Sequence, residues 1–444
     1  MIERERLTEL NNAPEQPGDY VLYWMQNSQR AEFNPALEMA IAGANRLGLP
    51  VIVGFGLTAD YPEANARHYA FMLEGLAETA HALRQRGLGF AIRFGNLDDV
   101  ALSLAKRAAL VVCDRGYLRP QRKWHARVAA KAGRRVLQVE GDLVVPVELV
   151  STKPEVGART LRPKLLRVRD QFLRSLRRQH LSHSAERVKA AGDLDLNDIP
   201  ALLARLGVDH SVSPVGNKER LDEFVTRRLP NHAAARARPS EAEVSTLSPF
   251  LHFGQISPIE ALAARDAEAA AENSASFLEE LIVRRELAMN FVQMTPNYDR
   301  HDCLPEWARQ TLAAHRQDRR EHVYSLDRLA RADTHDPYWN AAMREMLLTG
   351  YMHNYMRMYW GKKVLEWSPS PEEGYATLLR LNNKFFLDGR DANSYANVGW
   401  VFGLHDRPWP ERPIFGKVRS MTASGLRRKT DIDDYVRKVS ALAG

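Results

Sequence analysis

Two tryptophans in the stretch "MHNYMRMYWGKKVLEW" (352–367) have a spacing suited to electron transfer, and an arginine lies on the same stripe. Trp360 and Trp367 are seven residues apart, and Arg357 precedes Trp360 by three. Because seven residues are close to two helical turns, both indoles lie on one face of a helix, roughly 10 Å apart along its axis. A row of indoles can relay electrons, since each can be oxidised transiently. The spacing alone favours the commoner alternative, a buried aromatic cluster.

The stretch "STLSPFLHFGQISPIEAL" (245–262) carries two helix starts that suit a phosphate. Ser248 and Ser257 each stand before a proline, and Glu260 completes a capping box with the second serine. Ser245 and Thr246 add two hydroxyls ahead of the first start. Hydroxyls beside free backbone N–H groups at a helix N-terminus can bind phosphate oxygens. Ordinary N-capping is the commoner interpretation of such a pattern.

The charge of the chain favours a polyanionic partner such as DNA or RNA. The net charge is +7 and the isoelectric point is about 9.3. Eight basic residues fall between 159 and 178, in "RTLRPKLLRVRDQFLRSLRRQH". The same run also fits a solvated helix face.

Several classes of protein are excluded by composition. The mean hydropathy is −0.40, and no segment approaches the roughly 20 uncharged apolar residues that span a bilayer. The N-terminus "MIERERLTEL" lacks an apolar secretory core, so we predict neither a signal peptide nor a membrane segment. The two cysteines, Cys113 and Cys303, are far apart, and the histidines show no metal-ligand spacing. We therefore predict no disulfide and no metal site. We also predict that the protein is cytoplasmic.

The elements that must position these residues fall into two kinds. Buried strands alternate with helical patterns in the first part, which predicts a parallel sheet covered on both faces. The predicted strands are 20–25, 50–57, 88–95, 109–114 and 134–141. No glycine-rich dinucleotide fingerprint and no phosphate-binding loop motif follows a strand. The predicted architecture is a Rossmann-like α/β domain over 1–150, a linker over 151–205 and an all-α domain over 206–444.

Several long motifs in order make the chain similar to the photolyase/cryptochrome family. "STLSPFLHFGQISP" resembles the family's flavin-binding signature, and four further motifs resemble the class II cyclobutane pyrimidine dimer photolyases. These are "FLEELIVRREL" (277–287), "MHNYMRMYWGKKVLEW", "LDGRDANSYANVGW" (387–400) and "HDRPWPERPIFGKVRSM" (405–421). The resemblance covers nearly the whole chain. It implies light-driven splitting of pyrimidine dimers in UV-damaged DNA, by one electron from excited, fully reduced FAD that then returns.

The resemblance also implies a set of FAD-binding residues in the helical domain. Arg357 and Asp388 match an ion pair beside the flavin ring, and Asn382 matches the residue that faces the central flavin nitrogen. Isolated buried charge is very costly, so a buried arginine needs such a carboxylate. The full implied set is Arg236, Ser245, Thr246, Leu247, Ser248, Arg357, Asn382, Asp388 and Arg390.

Other matched positions imply contacts with the lesion and with DNA. Glu280 matches the carboxylate that hydrogen-bonds the dimer's base edge, and Trp400 matches the aromatic that stacks on the extruded dimer. Asn354 and Met358, one helical turn apart, would line the dimer pocket, although Met358 also fits an ordinary core. We assign DNA contacts to Arg284, Trp409 and Arg412, and we place Arg284 one turn from Glu280 on the same helix face.

The resemblance favours the relay over the plain aromatic cluster. In class II enzymes, three tryptophans at positions matching Trp360, Trp339 and Trp367 carry electrons to the flavin. Their order from the flavin is not readable from spacing, but Trp339 is expected to pack against the helix that carries the other two. A cryptochrome-like blue-light receptor without repair activity is the alternative function. A non-catalytic nucleic-acid-binding protein is the third.

Some expectations concern the wider setting of the protein. An antenna chromophore, either a deazaflavin or a folate, is an open question for the N-terminal sheet. We expect a monomer that associates with the nucleoid through DNA and has no membrane partner. DNA affinity should fall steeply with salt, because phosphate contacts release counterions.

Overall fold

The computed structural model describes residues 2–188, 192, 194–215, 221–241, 244–260 and 271–442. Contacts group the chain into two compact units. The α/β unit comprises Met1–Thr152, Leu165–Pro214 and Pro249–Leu262, and the helical unit comprises Lys153–Lys164, Val215–Ser248 and Ala263–Gly444. The predicted division into an α/β domain over 1–150, a linker over 151–205 and an all-α domain over 206–444 stays a prediction.

A six-stranded sheet forms the centre of the α/β unit. Its strands are β1 (Leu7–Glu9), β2 (Tyr20–Trp24), β3 (Val51–Leu57), β4 (Gly89–Phe94), β5 (Ala108–Asp114) and β6 (Val136–Val139). The spatial order is β1-β6-β5-β2-β3-β4, and all neighbours are parallel except β1 and β6. The five predicted strands are therefore present, whereas the prediction of a purely parallel sheet is wrong at β1. That strand has only three residues and none of them is buried, so it has no apolar run to reveal it.

Both faces of the sheet are buried, as the continuous apolar strands predict. Every residue of β2 is buried. Val21 and Tyr23 pack into one hydrophobic core, while Leu22 and Trp24 pack into the other. This division follows from the strand's two-residue period, which sends successive side chains to opposite faces.

Four helices connect strands β2 to β6. They are α1 (Pro35–Leu47), α2 (Ala66–Gln85), α3 (Leu97–Ala105) and α4 (Arg119–Lys131), and a short helix, α5 (Val147–Val150), follows β6. The limits of α1 follow from the residues at its two ends. The Asn34 side chain accepts a hydrogen bond from Leu37 N at 3.1 Å, and Gly48 ends the helix in the left-handed conformation with φ 67°.

The rest of the described chain is helical. Its helices are α6 (Ala158–Phe172), α7 (Ile199–Leu206), α8 (Leu221–Arg227), α9 (His232–Ala235), α10 (Ser248–His252), α11 (Ala271–Leu278), α12 (Arg285–Met294), α13 (Glu306–Ala314), α14 (Leu326–Ala330), α15 (Pro337–Thr349), α16 (Asn354–Trp367), α17 (Pro371–Phe385), α18 (Ala392–Val401), α19 (Ala423–Lys429) and α20 (Ile432–Ala441). Short 3-10 turns lie at Arg4–Arg6, Ala185–Arg187, Leu229–Asn231 and His301–Cys303, and a π-helix joins α11 to α12 at Glu279–Arg284.

The predicted fold class, an α/β part followed by an all-helical part, is confirmed. Within the described residues no strand follows β6. In that same part of the chain, no helix is both long and apolar enough to cross a bilayer.

Candidate active site

Two helices of the helical unit bring three tryptophans together. Asp336 caps α15 by accepting hydrogen bonds from the backbone N–H groups of Tyr338 and Trp339, at 2.9 and 3.0 Å. Its second carboxylate oxygen accepts a hydrogen bond from the Tyr359 hydroxyl of α16. One carboxylate therefore fixes the start of α15 and ties it to the helix that carries Trp360.

The indole rings of Trp339, Trp360 and Trp367 form a buried tryptophan cluster. Trp339 stacks on Trp360 with ring centroids 6.3 Å apart and meets Trp367 edge-on at 5.7 Å. The Trp339 indole N–H also donates to the Trp360 carbonyl at 3.0 Å. The three side chains are 0, 2 and 2% exposed. Trp339 is thus the middle member, which the sequence spacing did not reveal.

The two ends of the cluster differ. Trp360 meets Phe386 edge-on at 5.9 Å, and the guanidinium of Arg357 lies 3.9 Å from the centroid of the same Phe386 ring. At the other end, Trp367 meets Tyr324 at 5.3 Å and His335 at 5.2 Å. Trp360 is therefore the member that Phe386 links to Arg357.

The predicted ion pair between Arg357 and Asp388 is present. Two guanidinium nitrogens donate to the two carboxylate oxygens at 3.2 and 3.0 Å, and Arg357 Nε donates to the Met352 carbonyl at 3.0 Å. The side chains are 20 and 12% exposed. A bidentate pair in this geometry fixes the Arg357 guanidinium in a partly buried position.

The end of α17 supplies amide groups to the same region. The buried Asn382 amide donates to the Asn383 side-chain oxygen at 3.3 Å. Arg390 has a left-handed backbone with φ 63°, and its N–H donates to the Asn383 side chain at 2.9 Å. Its guanidinium donates to the Asn383 carbonyl at 2.6 Å. The predicted cofactor residue Arg390 thus caps α17.

The segment before α10 has a backbone suited to a phosphate. Thr246 has φ 49°, a left-handed conformation that is uncommon for a β-branched residue. The Ser245 hydroxyl faces the Leu247 N–H at 3.5 Å. Helix α10 starts at Ser248 but has only five residues. Strain of this kind is usually retained where a backbone must adopt a particular shape.

The second predicted start has the capping box that the sequence indicates. Ser257 N donates to the Glu260 carboxylate at 2.6 Å, and Ile259 N donates to the Ser257 hydroxyl at 3.1 Å. The residues that follow, 261–270, lie outside the described part of the chain.

The helix that carries Glu280 is interrupted by the π-helical turn. Glu280 pairs with Arg236 at 2.6 Å, and Arg236 also donates to the Ser276 hydroxyl at 3.0 Å. The backbone N–H of Arg285 bonds to the Glu280 carbonyl, while Arg284 pairs with Glu279 at 3.2 Å. Each backbone hydrogen bond of the π-turn spans one residue more than in an α-helix, and Arg284 contacts Glu279, the residue before Glu280, across this turn. Arg236, a predicted cofactor residue, thus lies against the predicted lesion carboxylate.

The remaining predicted pocket residues are more open than the tryptophan cluster. On α16, Asn354 is exposed and Met358 is half-buried. Trp400, the penultimate residue of α18, is also half-buried. The Arg419 guanidinium lies 5.9 Å from the Trp400 ring and 5.1 Å from the Trp409 ring.

The loop that carries Trp409 and Arg412 is held by its backbone. Trp409 N donates to the Lys417 carbonyl at 2.8 Å, and Arg412 and Gly416 exchange backbone hydrogen bonds at 2.9 and 2.8 Å. The Arg412 side chain is exposed. The loop therefore presents a cation and an aromatic on a defined backbone.

Sequence reasoning missed two residues in this region. Arg419 lies in a quoted motif, but nothing in its spacing ties it to two tryptophans. Lys362 is buried beside Trp400, although a lysine in "GKKV" reads as solvent-facing. Within the described residues, no three His, Cys, Asp or Glu side chains are grouped to hold a metal.

Comparison with known proteins identifies the family. The DNA photolyase family model matches residues 21–184. A deoxyribodipyrimidine photo-lyase of Methanothermobacter thermautotrophicus is 46% identical, over 100% of this chain and 99% of the relative. The chain belongs to the DNA photolyase family. The Arabidopsis thaliana relative of this photolyase-family chain, also named deoxyribodipyrimidine photo-lyase, is 37% identical over 95% of this chain and 89% of its own length. The predicted family and enzyme are confirmed.

Solved structures of photolyases share the fold of this photolyase-family chain. A bacterial class III photolyase from Agrobacterium tumefaciens aligns with a TM-score of 0.72 and 20% identity, over 97% of this chain and 88% of that one. An archaeal photolyase from Sulfolobus tokodaii with two FAD molecules aligns with a TM-score of 0.69 and 16% identity, over 94% of this chain and 89% of that one. At these identities the likeness supports the fold alone.

Proposed function

We propose that this photolyase-family chain is a class II cyclobutane pyrimidine dimer photolyase that repairs UV-damaged DNA with light and FAD. The observation that carries the proposal is the contact series from the Arg357–Asp388 ion pair through Phe386 to the tryptophan cluster. A fixed positive group suits a reduced, negatively charged flavin, and a buried row of indoles beside it suits the supply of electrons to an oxidised one. Full-length relatives named deoxyribodipyrimidine photo-lyase support the same function.

The donor set in the helical unit fits FAD. Arg357, neutralised on one side by Asp388, would face the flavin ring, and the Asn382 amide can donate to or accept from a ring nitrogen. The left-handed backbone at Thr246 and the hydroxyls of Ser245 and Ser248 would hold the phosphates. When bound in its fully reduced form and excited by light, FAD would supply the one electron that splits the dimer.

The role proposed for Arg236 changes with the geometry. Because Arg236 pairs with Glu280 at 2.6 Å, it would act either on both the cofactor phosphates and the lesion carboxylate or on the carboxylate alone. Either way, Arg236 holds the Glu280 side chain in one direction. A carboxyl group so fixed can hydrogen-bond the base edge of the dimer and stabilise charge that develops there.

Three further residues complete the proposed lesion pocket, and three others would contact the DNA around it. Asn354 and Met358 would contact the dimer from α16, and Trp400 would replace the stacking that the extruded bases lose. Arg412, with Trp409, would contact the DNA from the exposed loop, and Arg284 would contact it from the π-helix. Their partial exposure supports this assignment, because a pocket for DNA must be open.

The proposed relay has a defined order. Electrons would pass from Trp367 to Trp339 to Trp360 and on to the cofactor, since Trp339 contacts both others and Trp360 adjoins the Arg357 side. The chain's own contribution is to keep the three rings dry and at fixed separations of about 6 Å between centroids.

Light-dependent loss of dimers tests the proposal. Chemically reduced protein is mixed with an oligonucleotide that contains one thymine dimer and is split into illuminated and dark samples. We expect dimer loss under near-ultraviolet or blue light and none in darkness. Flavin absorbance without any dimer loss would instead support the blue-light receptor. The masses of released cofactors, measured on the same preparation, would identify any antenna chromophore.

A further inference from the structure

Lys362 on α16 is a buried lysine that the proposed repair mechanism does not use. It is 1% exposed, and its ammonium donates a hydrogen bond to the Val401 carbonyl. Burial lowers the pKa of Lys362 to about 7; the nearby Asp406 carboxylate opposes this shift, and the Arg419 guanidinium reinforces it. The Asp406 carboxylate accepts hydrogen bonds from the Arg407 backbone N–H and the Trp409 indole N–H.

A lysine in this position costs stability. Transfer of an ammonium from water into a protein interior is unfavourable unless a carboxylate and several acceptors replace the lost hydration. The adjacent lysine of α16 differs from Lys362, because Lys363 has a carboxylate partner, Glu366, at 2.7 Å. An apolar side chain of similar length would fill the space of Lys362 at lower cost. The contacts of the Lys362 ammonium therefore indicate its role.

Those contacts converge on Trp400. The Lys362 ammonium lies 5.7 Å from the centroid of the Trp400 ring, within cation–π range. The carbonyl to which it donates belongs to Val401, the next residue and the last of α18. A cation at the C-terminus of a helix is favoured by the helix dipole. Arg419 adds a second cation 5.9 Å from the same ring.

We propose that Lys362 is a positioning residue for lesion recognition: its ammonium holds the Trp400 ring and the end of α18 in the orientation that stacks on the extruded dimer. The inference rests on the proposed function, because Trp400 is a lesion contact only in a dimer-repair enzyme. It adds a group that acts through Trp400 rather than on the dimer.

The proposal implies a pH dependence confined to damaged DNA. Lys362 is charged below a pH of about 7 and loses its proton as the pH rises through that value. The cation–π contact is lost with the proton, so the preference for dimer-containing over undamaged DNA should fall as the pH rises. Phosphate contacts made by arginines keep their charge over this range, so binding of undamaged DNA should change little.

The experiment compares binding of two oligonucleotides that differ only in one thymine dimer. Dissociation constants are measured in the dark at fixed ionic strength from about pH 6 to about pH 8.5, below the range in which an ordinary lysine loses its proton. The proteins are the wild-type holoprotein, Lys362→Met and Lys363→Met. Both variants remove one positive charge from α16, but Lys363 faces Tyr359 and Trp367 rather than Trp400. FAD content is measured for each.

At about pH 6 we expect Lys362→Met to weaken dimer binding about tenfold, with undamaged DNA and FAD content unchanged. The dimer preference of Lys362→Met should not change with pH, and that of Lys363→Met should change with pH as in the wild type. Equal dimer preference in Lys362→Met and the wild type, or an equal loss for both DNAs, overturns the inference. If Lys362→Met does not fold, the wild-type profile decides, and a flat one overturns the inference. A wild type without any dimer preference would instead contradict the proposed function itself.

Discussion

The tryptophan cluster and the proposed lesion pocket share helix α16 but are built in opposite ways. Trp339, Trp360 and Trp367 are almost fully buried and contact one another in a fixed order. In the proposed pocket Asn354 is exposed, and the half-buried Glu280 is held by an ion pair rather than by packing. An electron relay needs short, constant gaps, whereas a DNA pocket must stay open. The proposed roles would give helix α16 both tasks, on different faces.

The largest expected effect follows from breaking the middle of the tryptophan cluster. Trp339→Phe should abolish photoreduction of oxidised flavin, because Trp339 contacts both other indoles. Illuminated spectra of the bound flavin measure this directly. The control is Trp124→Phe in the α/β unit, which should photoreduce like the wild type. Normal photoreduction by Trp339→Phe would remove it from the relay.

The next largest effect concerns the ion pair between the two regions. Asp388→Asn should lower the free energy of unfolding by about 2 kcal/mol, because it leaves Arg357 partly buried and without its carboxylate. Denaturant titration of the holoprotein measures the change. The matched control is Asp333→Asn, which breaks an exposed pair with Arg328. We expect less than about 1 kcal/mol there; similar losses in both variants would contradict the distinction.

A smaller effect is expected inside the pocket. Glu280→Gln should slow light-driven repair by chemically reduced protein about tenfold, since a fixed carboxyl group is lost where charge develops on the base. Photoreduction should be unaffected because Glu280 is not part of the tryptophan cluster. Glu279→Gln is the matched control one residue away. If the two variants repair equally well, Glu280 is not the lesion carboxylate.

The smallest effect is expected at the DNA-contact loop. Arg412→Gln should weaken binding of damaged and undamaged DNA alike and lower the slope of log affinity against log salt by about 1, as loss of one phosphate contact predicts. Lys131→Gln on the exposed surface of α4 serves as the control. An unchanged slope for Arg412→Gln would exclude a phosphate contact.

Residue patterns predicted most of the fold and part of the site. Helical spacing placed Trp360 and Trp367 on one face, and both do contact Trp339. The Ser257–Glu260 capping box also formed as its sequence indicates. These features depend on local geometry, which a sequence period encodes directly.

Features set by tertiary packing were not predictable. The π-helical turn changes backbone hydrogen bonds by one residue without any change in composition, so the residue pattern does not reveal it. The burial of Lys362 depends on α18, which is distant in sequence. Strand β1 is too short to carry a pattern. In each case the decisive contacts come from elsewhere in the chain.

The separation of the two regions is tested most directly by one variant in two assays. Trp360→Phe and the wild type are each reduced chemically, mixed with dimer-containing DNA and illuminated, while parallel oxidised samples are illuminated without DNA. We predict equal rates of dimer loss in the reduced samples, and photoreduction in the wild type alone. Loss of repair in reduced Trp360→Phe, or normal photoreduction by that variant, would contradict the account.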